Sequence, residues 1–310
     1  MVSCRVNVLM ATFNGGQFIS EQMKSILNQQ SCRVDLTIRD DGSNDNTLTI
    51  LENFSNLYPL QFKLIKDKIG NTGSACKNFL LLLLSADLDN YDYIAFADQD
   101  DFWFPDKLSH AISNLIKINS DVYSSDMLIW DGTNVIGELK KNGRQTNFDY
   151  LFQGASAGCT YVMNIKAATE IVSHLTISKI FDLSKESSHD WIIYAILRSR
   201  GFNWFHDSKA KILYRQHSAN VYGAKKLFTN GTIKMVTSGW YRNNIFTAYS
   251  FSKKNIEAEK ILFRISNNNF LVRIYSIVDL HKTRRELLHK FLLYVLIITG
   301  FLSPLSCKKK

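Results

Sequence analysis

The sequence predicts an α/β fold, a mostly parallel, doubly wound sheet, followed by a basic helical C-terminal extension. Two observations carry this. Over the first 130 residues, short apolar runs alternate with segments whose apolar residues recur at helical spacing, and such a βαβα rhythm belongs to parallel strands joined by crossover helices. The charge is also unevenly divided. Residues 201–310 hold 19 Lys and Arg against 5 Asp and Glu, whereas residues 1–200 hold 18 against 23. A soft boundary near 222 therefore separates a mildly acidic body, residues 1–222, from an extension, residues 223–310.

The elements follow in order. Val6–Ala11 is short and apolar, a first strand rather than the longer core of a signal peptide. Gly16–Gln29 carries Phe18, Met23, Ile26 and Leu27 at helical spacing. Val34–Ile38 reads as a strand, Thr47–Phe54 as a helix, Phe62–Ile65 as a strand, Ser74–Leu84 as a helix and Tyr93–Ala97 as a buried strand. Pro105 opens the next helix at its first turn, where a missing N–H costs nothing. Residues 120–215 read as mixed strands around one long helix, Asp190–Arg200, with Lys211–Tyr214 strand-like. From about Lys225 the chain is helical and basic. Ligands of doubly wound sheets sit beyond the carboxyl ends of the strands, so the loops after Ala11, Arg39, Lys66 and Ala97 are where a site is expected.

Composition narrows the class. At 310 residues, 45% hydrophobic and 21% charged, with three prolines and no repeat, the chain suits a folded domain with an appendage. Its five cysteines (Cys4, Cys32, Cys76, Cys159 and Cys307) are odd in number, dispersed and without a C-x-x-C pair. That argues against a disulfide framework or a zinc site and suits a reducing compartment.

The loop after the fourth strand reads Ala97-Asp98-Gln99-Asp100-Asp101-Phe102-Trp103. Carboxylates packed this closely repel one another and want a compensating cation. Mg²⁺ or Mn²⁺ typically takes one or two carboxylates together with substrate phosphates. Read alone, the same loop is equally a solvated turn capping the helix at Pro105. The second-strand loop, Asp40-Asp41-Gly42-Ser43-Asn44-Asp45, is turn chemistry read alone, with Asp45 a helix N-cap. Its functional reading has Asp40 or Asp41 accepting hydrogen bonds from a base or ribose. The first-strand loop, Ala11-Thr12-Phe13-Asn14-Gly15-Gly16, offers small residues and backbone N–H groups. It matches neither a Walker loop nor G-x-G-x-x-G.

These loops, in this order, together with Asn71-x-Gly73 and Asn78, resemble family 2 glycosyltransferases of the GT-A fold over residues 3–220. The variants Asp98-Gln99-Asp100-Asp101-x-Trp103, Ser188-His189-Asp190-Trp191 and Tyr214-Arg215-Gln216-His217-x-x-Asn220 are similar to the subgroup of bacterial rhamnosyltransferases of cell-wall, capsule and O-antigen assembly. The resemblance implies an inverting, metal-dependent transferase. Asp98 and Asp100 match the positions that contact the ribose and the metal–diphosphate, with Asp101 supporting them. Asp40 or Asp41 matches the acidic residue near the nucleobase, and Thr12 and Asn14 line the nucleotide pocket. Asp190 matches the catalytic base, at the start of a helix whose N-terminal dipole favours a negative side chain. Its plainer reading is an N-cap. Arg215 offers a fork of donors suited to phosphate, and His217 is a candidate metal ligand beside Asp98 and Asp100. Trp103 and Trp191 suit either sugar stacking or core packing.

The subgroup implies dTDP-L-rhamnose as donor, with a UDP-hexose as alternative, and a lipid-linked oligosaccharide as acceptor. In the tail, six cations from Arg264 to Lys290 precede an apolar run, Phe291–Leu305, and Lys308, Lys309 and Lys310 follow it. Fifteen residues fall short of the ~20 that span a bilayer, so docking on the anionic inner face of the membrane from the cytoplasm is expected. The competing reading is a helix packed on protein. A catalytically silent glycan-binding protein is disfavoured by intact Asp98, Asp100 and Asp190. Nucleic acid is not expected as a partner, because no aromatic-plus-basic reading surface accompanies the basic tail.

Overall fold

A computed structural model describes residues 4–141, 143–217 and 238–303. Asn220, the boundary near 222, Lys225 and the run from Pro304 through Leu305 and Cys307 to Lys310 lie outside the described residues.

In chain order the elements are β1 (Cys4–Thr12), α1 (Ile19–Leu27), β2 (Cys32–Asp40), α2 (Thr47–Leu57), β3 (Phe62–Leu64), α3 (Ala75–Leu84), β4 (Tyr93–Ala97), β5 (Phe102–Trp103) and α4 (Lys107–Ile118). Then come β6 (Val122–Ser125), β7 (Met127–Trp130), β8 (Val135–Leu139), α5 (Asp149–Phe152), β9 (Val162–Asn164), α6 (Ile165–His174), α7 (Ile177–Phe181), α8 (His189–Ser199), β10 (Trp204–Asp207) and β11 (Ile212–Arg215). Seven strands form one sheet in the order β10-β6-β9-β4-β1-β2-β3. It is parallel except for β9, which runs antiparallel to β4 and β6.

β1 sits near the middle and is buried from Val6 to Thr12, as the unbroken apolar run Val8-Leu9-Met10-Ala11 requires of a strand covered on both faces. Register then assembles the site. Pairing of β1 with β2 ends at Thr12 opposite Asp40, and pairing with β4 ends at Met10 opposite Ala97. Three loops, beginning at Phe13, Asp41 and Asp98, thus leave one edge of the sheet together. A second sheet, β5-β11-β7-β8, pairs Phe102 and Trp103 with Leu213 and Ile212, which carries Arg215 back toward the acidic turn.

Two expectations change. Pro105 stands two residues ahead of α4, whose N-cap is Asp106. The proline sits in the turn closed by the Lys107 N–H on the Phe104 carbonyl, and its own carbonyl accepts from the Gln30 N–H at 2.8 Å. The middle region also holds a second long helix, α6, started by Asn164, whose side chain accepts from the Ala167 N–H. Trp103 and Trp191 are both buried, which decides for core packing.

The chain divides into two compact units. The first comprises residues 1–142, 156–190 and 201–224, and the second residues 143–155, 191–200 and 225–310. The sequence expectation put everything to 222 in one body, whereas 143–155 and 191–200 group with the tail. Within the second unit the sequence-distant segments are tied by polar anchors. Arg285 Nε donates to Asp149 at 2.8 Å and its terminal nitrogens donate to the Gly154 and Ala155 carbonyls. Tyr194 donates to the same Asp149 carboxylate. Its remaining helices are Trp240–Phe251, Ile256–Ser266, Phe270–Ile274, a 3₁₀ segment Tyr275–Lys282, and Leu287–Ile298. No helix among the described residues is long and apolar enough to cross a membrane.

Candidate active site

At the shared edge the two adjacent carboxylates of β2 face different loops. Asp40 accepts from Thr12 Oγ1 at 2.8 Å, from the Gly42 and Ser43 N–H groups and from Ser43 Oγ. Asp41 is buried and accepts from the Thr72 and Gly73 N–H groups and Thr72 Oγ1, with Arg39 Nη1 at 3.2 Å. Arg39, also buried, bridges Asp41 to Asp67, Asn78 and the Gly70 carbonyl. Asp41 therefore holds the 67–73 loop, while Asp40 is half-buried and keeps access to solvent. Thr12 is buried and spends its hydroxyl on Asp40.

Asn14 takes a left-handed backbone, φ 49°. Its N–H donates to Ser43 Oγ and its side-chain oxygen accepts from the Asn44 N–H, both at 2.8 Å. Phe13 stands beside it with 51% of its surface exposed, an unusual position for a large ring.

The acidic turn is fixed from several sides. Gln99 accepts from the Phe13 N–H and donates to the Phe13 carbonyl, each at 2.9 Å. Gly15 has to be glycine for this, because a Cβ there would run into the Gln99 amide. Gln22 Nε2 donates to the Asp98 carbonyl. Arg215 lies beneath the turn. Its Nε donates to the Asp100 carbonyl at 2.8 Å, its N–H to Asp101, and a terminal nitrogen pairs with Glu21. The guanidinium is sandwiched between Phe18 and Trp130, 4.7 and 4.1 Å from the ring centroids. His217 Nε2 lies 2.7 Å from Asp100 Oδ2, its ring against Phe18.

The electrostatics are those of crowded carboxylates, Asp98 and Asp100 half-buried and Asp101 buried. Burial, with Asp100 and Asp190 nearby, pushes the Asp98 carboxyl up to about 7. Burial, with Asp98 and Asp100 nearby, raises Asp101 well above the carboxylate range. One oxygen of Asp101 is buried with no hydrogen-bond partner among the described residues. Ligand atoms of Asp98, Asp101 and Cys159 converge within 4.8 Å of one another. Asp100 and His217 form a neighbouring pair instead of joining that cluster. The set fits a hard divalent cation. The orphaned Asp101 oxygen and the repulsion between carboxylates are what such an ion would relieve. Cys159 suits it poorly, since burial raises its thiol far above the range where it ionises.

Asp190 lies in the first turn of α8, takes a hydrogen bond from Ser188 Oγ and is near enough to Asp98 for their charges to repel. Its neighbour His189 stacks on Phe79 with centroids 4.1 Å apart, and burial holds its ring neutral below the usual histidine range. Gly158 makes room for it, because a Cβ there would meet His189 Nε2. Arg39, Gln99, Glu21, Gln22 and Cys159 were not legible as site residues. A Gln between two Asp residues was the one visible signal.

The model of glycosyl transferase family 2 matches residues 7–165. The dTDP-rhamnosyl transferase RfbG of Shigella flexneri is 38% identical over 239 residues, covering 76% of this chain and 82% of that protein. The UDP-Glc:alpha-D-GlcNAc-diphosphoundecaprenol beta-1,3-glucosyltransferase WfgD of Escherichia coli is 27% identical, covering 51% of this chain and 59% of its own. Among solved structures, S. aureus TarS residues 1–349 in complex with UDP-GlcNAc superposes with a TM-score of 0.58 at 17% identity, over 96% of this chain and 90% of that one. That likeness identifies the GT-A fold.

Proposed function

Because the chain belongs to glycosyl transferase family 2, we propose that it moves L-rhamnose from dTDP-L-rhamnose, with inversion, to a lipid-linked oligosaccharide of surface polysaccharide assembly. The observation carrying the donor is the 38% identity to a dTDP-rhamnosyl transferase over three quarters of the chain. The acceptor class is supported by the diphosphoundecaprenol acceptors named for WfgD and WfaP of Escherichia coli. A UDP-hexose donor is the second reading, favoured by the UDP-Glc in those same names.

The residues divide the work as follows. Asp40, Asn14 and the exposed Phe13 ring bind the nucleoside at the first two loops, with Thr12 and Asp41 holding those loops in shape. Asp98 and Asp100 hold the diphosphate side, with Arg215 positioning the turn from beneath. Mg²⁺ or Mn²⁺ bound by Asp98 and Asp100, with His217 on Asp100 and the orphaned Asp101 oxygen behind them, would supply Lewis-acid neutralisation of the leaving diphosphate. Asp190 accepts the proton from the acceptor hydroxyl as that oxygen bonds to the anomeric carbon and the bond to the diphosphate breaks. A nucleotide-sugar panel scored by release of free nucleoside diphosphate, with and without Mn²⁺, tests this. Release is expected to be fastest with dTDP-L-rhamnose, and a tenfold preference for UDP-glucose would replace the rhamnosyl reading.

We also place the second unit on an anionic membrane surface. Leu287, Phe291, Phe270 and Leu271 are exposed among the cations of this unit. Each cation near such a surface contributes about 1 kcal/mol. The full chain should float with anionic vesicles, less so at high salt, and Phe270→Glu with Phe291→Glu should abolish flotation. Unchanged flotation of that double variant would rule these residues out as the anchor.

A further inference from the structure

Between helix Ile256–Ser266 and the segment 272–278 the second unit opens a groove of about 650 Å³. Phe263, Val272, Tyr275 and Val278 form its apolar walls, and Phe263 and Tyr275 are 64% and 68% exposed. The helix already buries Ala258, Ile261, Leu262 and Ile265 on its other side, so this is a second apolar stripe that the core does not use. Ile256, Lys260 and Phe263 recur along it at the spacing of one helical face.

Two cations and one carboxylate share the lining with these apolar residues. Lys260 and Arg264 line the groove one helical turn apart. Arg264 donates to the buried Asp279 at 2.5 Å and is held in place by it. The Glu259 carboxylate, also at the rim, accepts from the Tyr249 hydroxyl at 2.7 Å. An apolar trough of this volume bordered by two cations is complementary to a branched hydrocarbon chain ending in phosphate. A second copy of the chain suits the face less well, because residues 201–310 carry 19 cationic against 5 acidic side chains and would repel their like.

We propose that this groove binds the isoprenyl phosphate end of the acceptor, the chain lying against Phe263, Val272, Tyr275 and Val278 and the phosphate oxygens at Lys260 and Arg264. The proposal rests on the lipid-linked acceptor inferred above. Farnesyl phosphate, titrated into the full chain below its micelle concentration, tests it by calorimetry. Saturable binding is expected, at least tenfold weaker for farnesol, for Phe263→Asp and for Lys260→Glu, while all variants still release nucleoside diphosphate from the donor at the wild-type rate. Equal affinity in the variants, or non-saturable uptake, overturns the site. So does a change of oligomer size in Phe263→Asp without a change in farnesyl phosphate affinity, which would mark a face between copies. Transfer assays separate the two layers. Wild-type transfer to a lipid-linked glycan with unchanged KM in the variants removes only the groove. Transfer to water-soluble glycans alone removes the acceptor reading itself.

Discussion

Asp190→Asn should retain donor binding and lose sugar transfer by roughly 10²–10⁴-fold, the usual cost of removing a general base. The substitution keeps the side chain's shape and its place in the first turn of α8, and Ser188 can still donate to the remaining oxygen. What disappears is the atom proposed to take the acceptor's proton. The effect should therefore fall on kcat with an acceptor present. Donor affinity, read by calorimetry, and the thermal midpoint should hardly move. A variant that turns over near the wild-type rate would shift the role elsewhere. Asp207 is a poor substitute, because its carboxylate is committed to His110 and Tyr123. The exposed Asp182 would be tested next.

Asp100→Asn should lower metal-dependent donor affinity by about 100-fold, or about 2.7 kcal/mol, and EDTA should do the same to the wild type. The argument is the crowding at the acidic turn. The folded Asp98 carboxyl is raised to about 7 from an ordinary 3.8, so without metal the folded state binds its proton more tightly than the unfolded chain does. The Asp98 contribution to the stability of the metal-free protein should then fall as pH climbs from about 4 to about 7. Mn²⁺ should raise the thermal midpoint most at pH 7–8, where the carboxylates are charged, and least near pH 5. Donor binding unchanged in EDTA would remove the metal from the mechanism. A midpoint insensitive to both pH and Mn²⁺ would remove the carboxylates from the ion's site.

Much of this was legible because the relevant signals are local. β4 is an unbroken apolar run, β1 carries the run Val8-Leu9-Met10-Ala11 and β2 alternates Val34, Leu36 and Ile38 with polar residues, each followed at once by a polar turn, so both the strands and the positions of Asp40 and Asp98 could be read from order alone. The rest depends on register and burial, which no short window contains. Asp40 and Asp41 are interchangeable in sequence, yet strand alternation sends one to the Thr12 loop and the other to Arg39 and the 67–73 loop. Arg215 reads as a phosphate fork until its stacking between Phe18 and Trp130 and its bonds under the turn are seen. α6 was missed because its inward residues are largely alanine, Ala167 and Ala168 beside Ile171, a weak hydrophobic period.

Gln99 turns two loops into one piece. Its amide pairs with both backbone groups of Phe13 as a neighbouring strand would, although Gln99 and Phe13 lie in loops that share no ladder. The first-strand loop and the acidic turn are thereby joined through one side chain. A donor bound between these loops, as proposed, would meet them already joined, so less ordering entropy would be lost on binding. If Phe13, Asn14 and Asp40 bind the nucleoside as proposed, discrimination between nucleosides is then a matter of lock geometry at those three residues, and a change of donor would come by reshaping them while the amide strut stays.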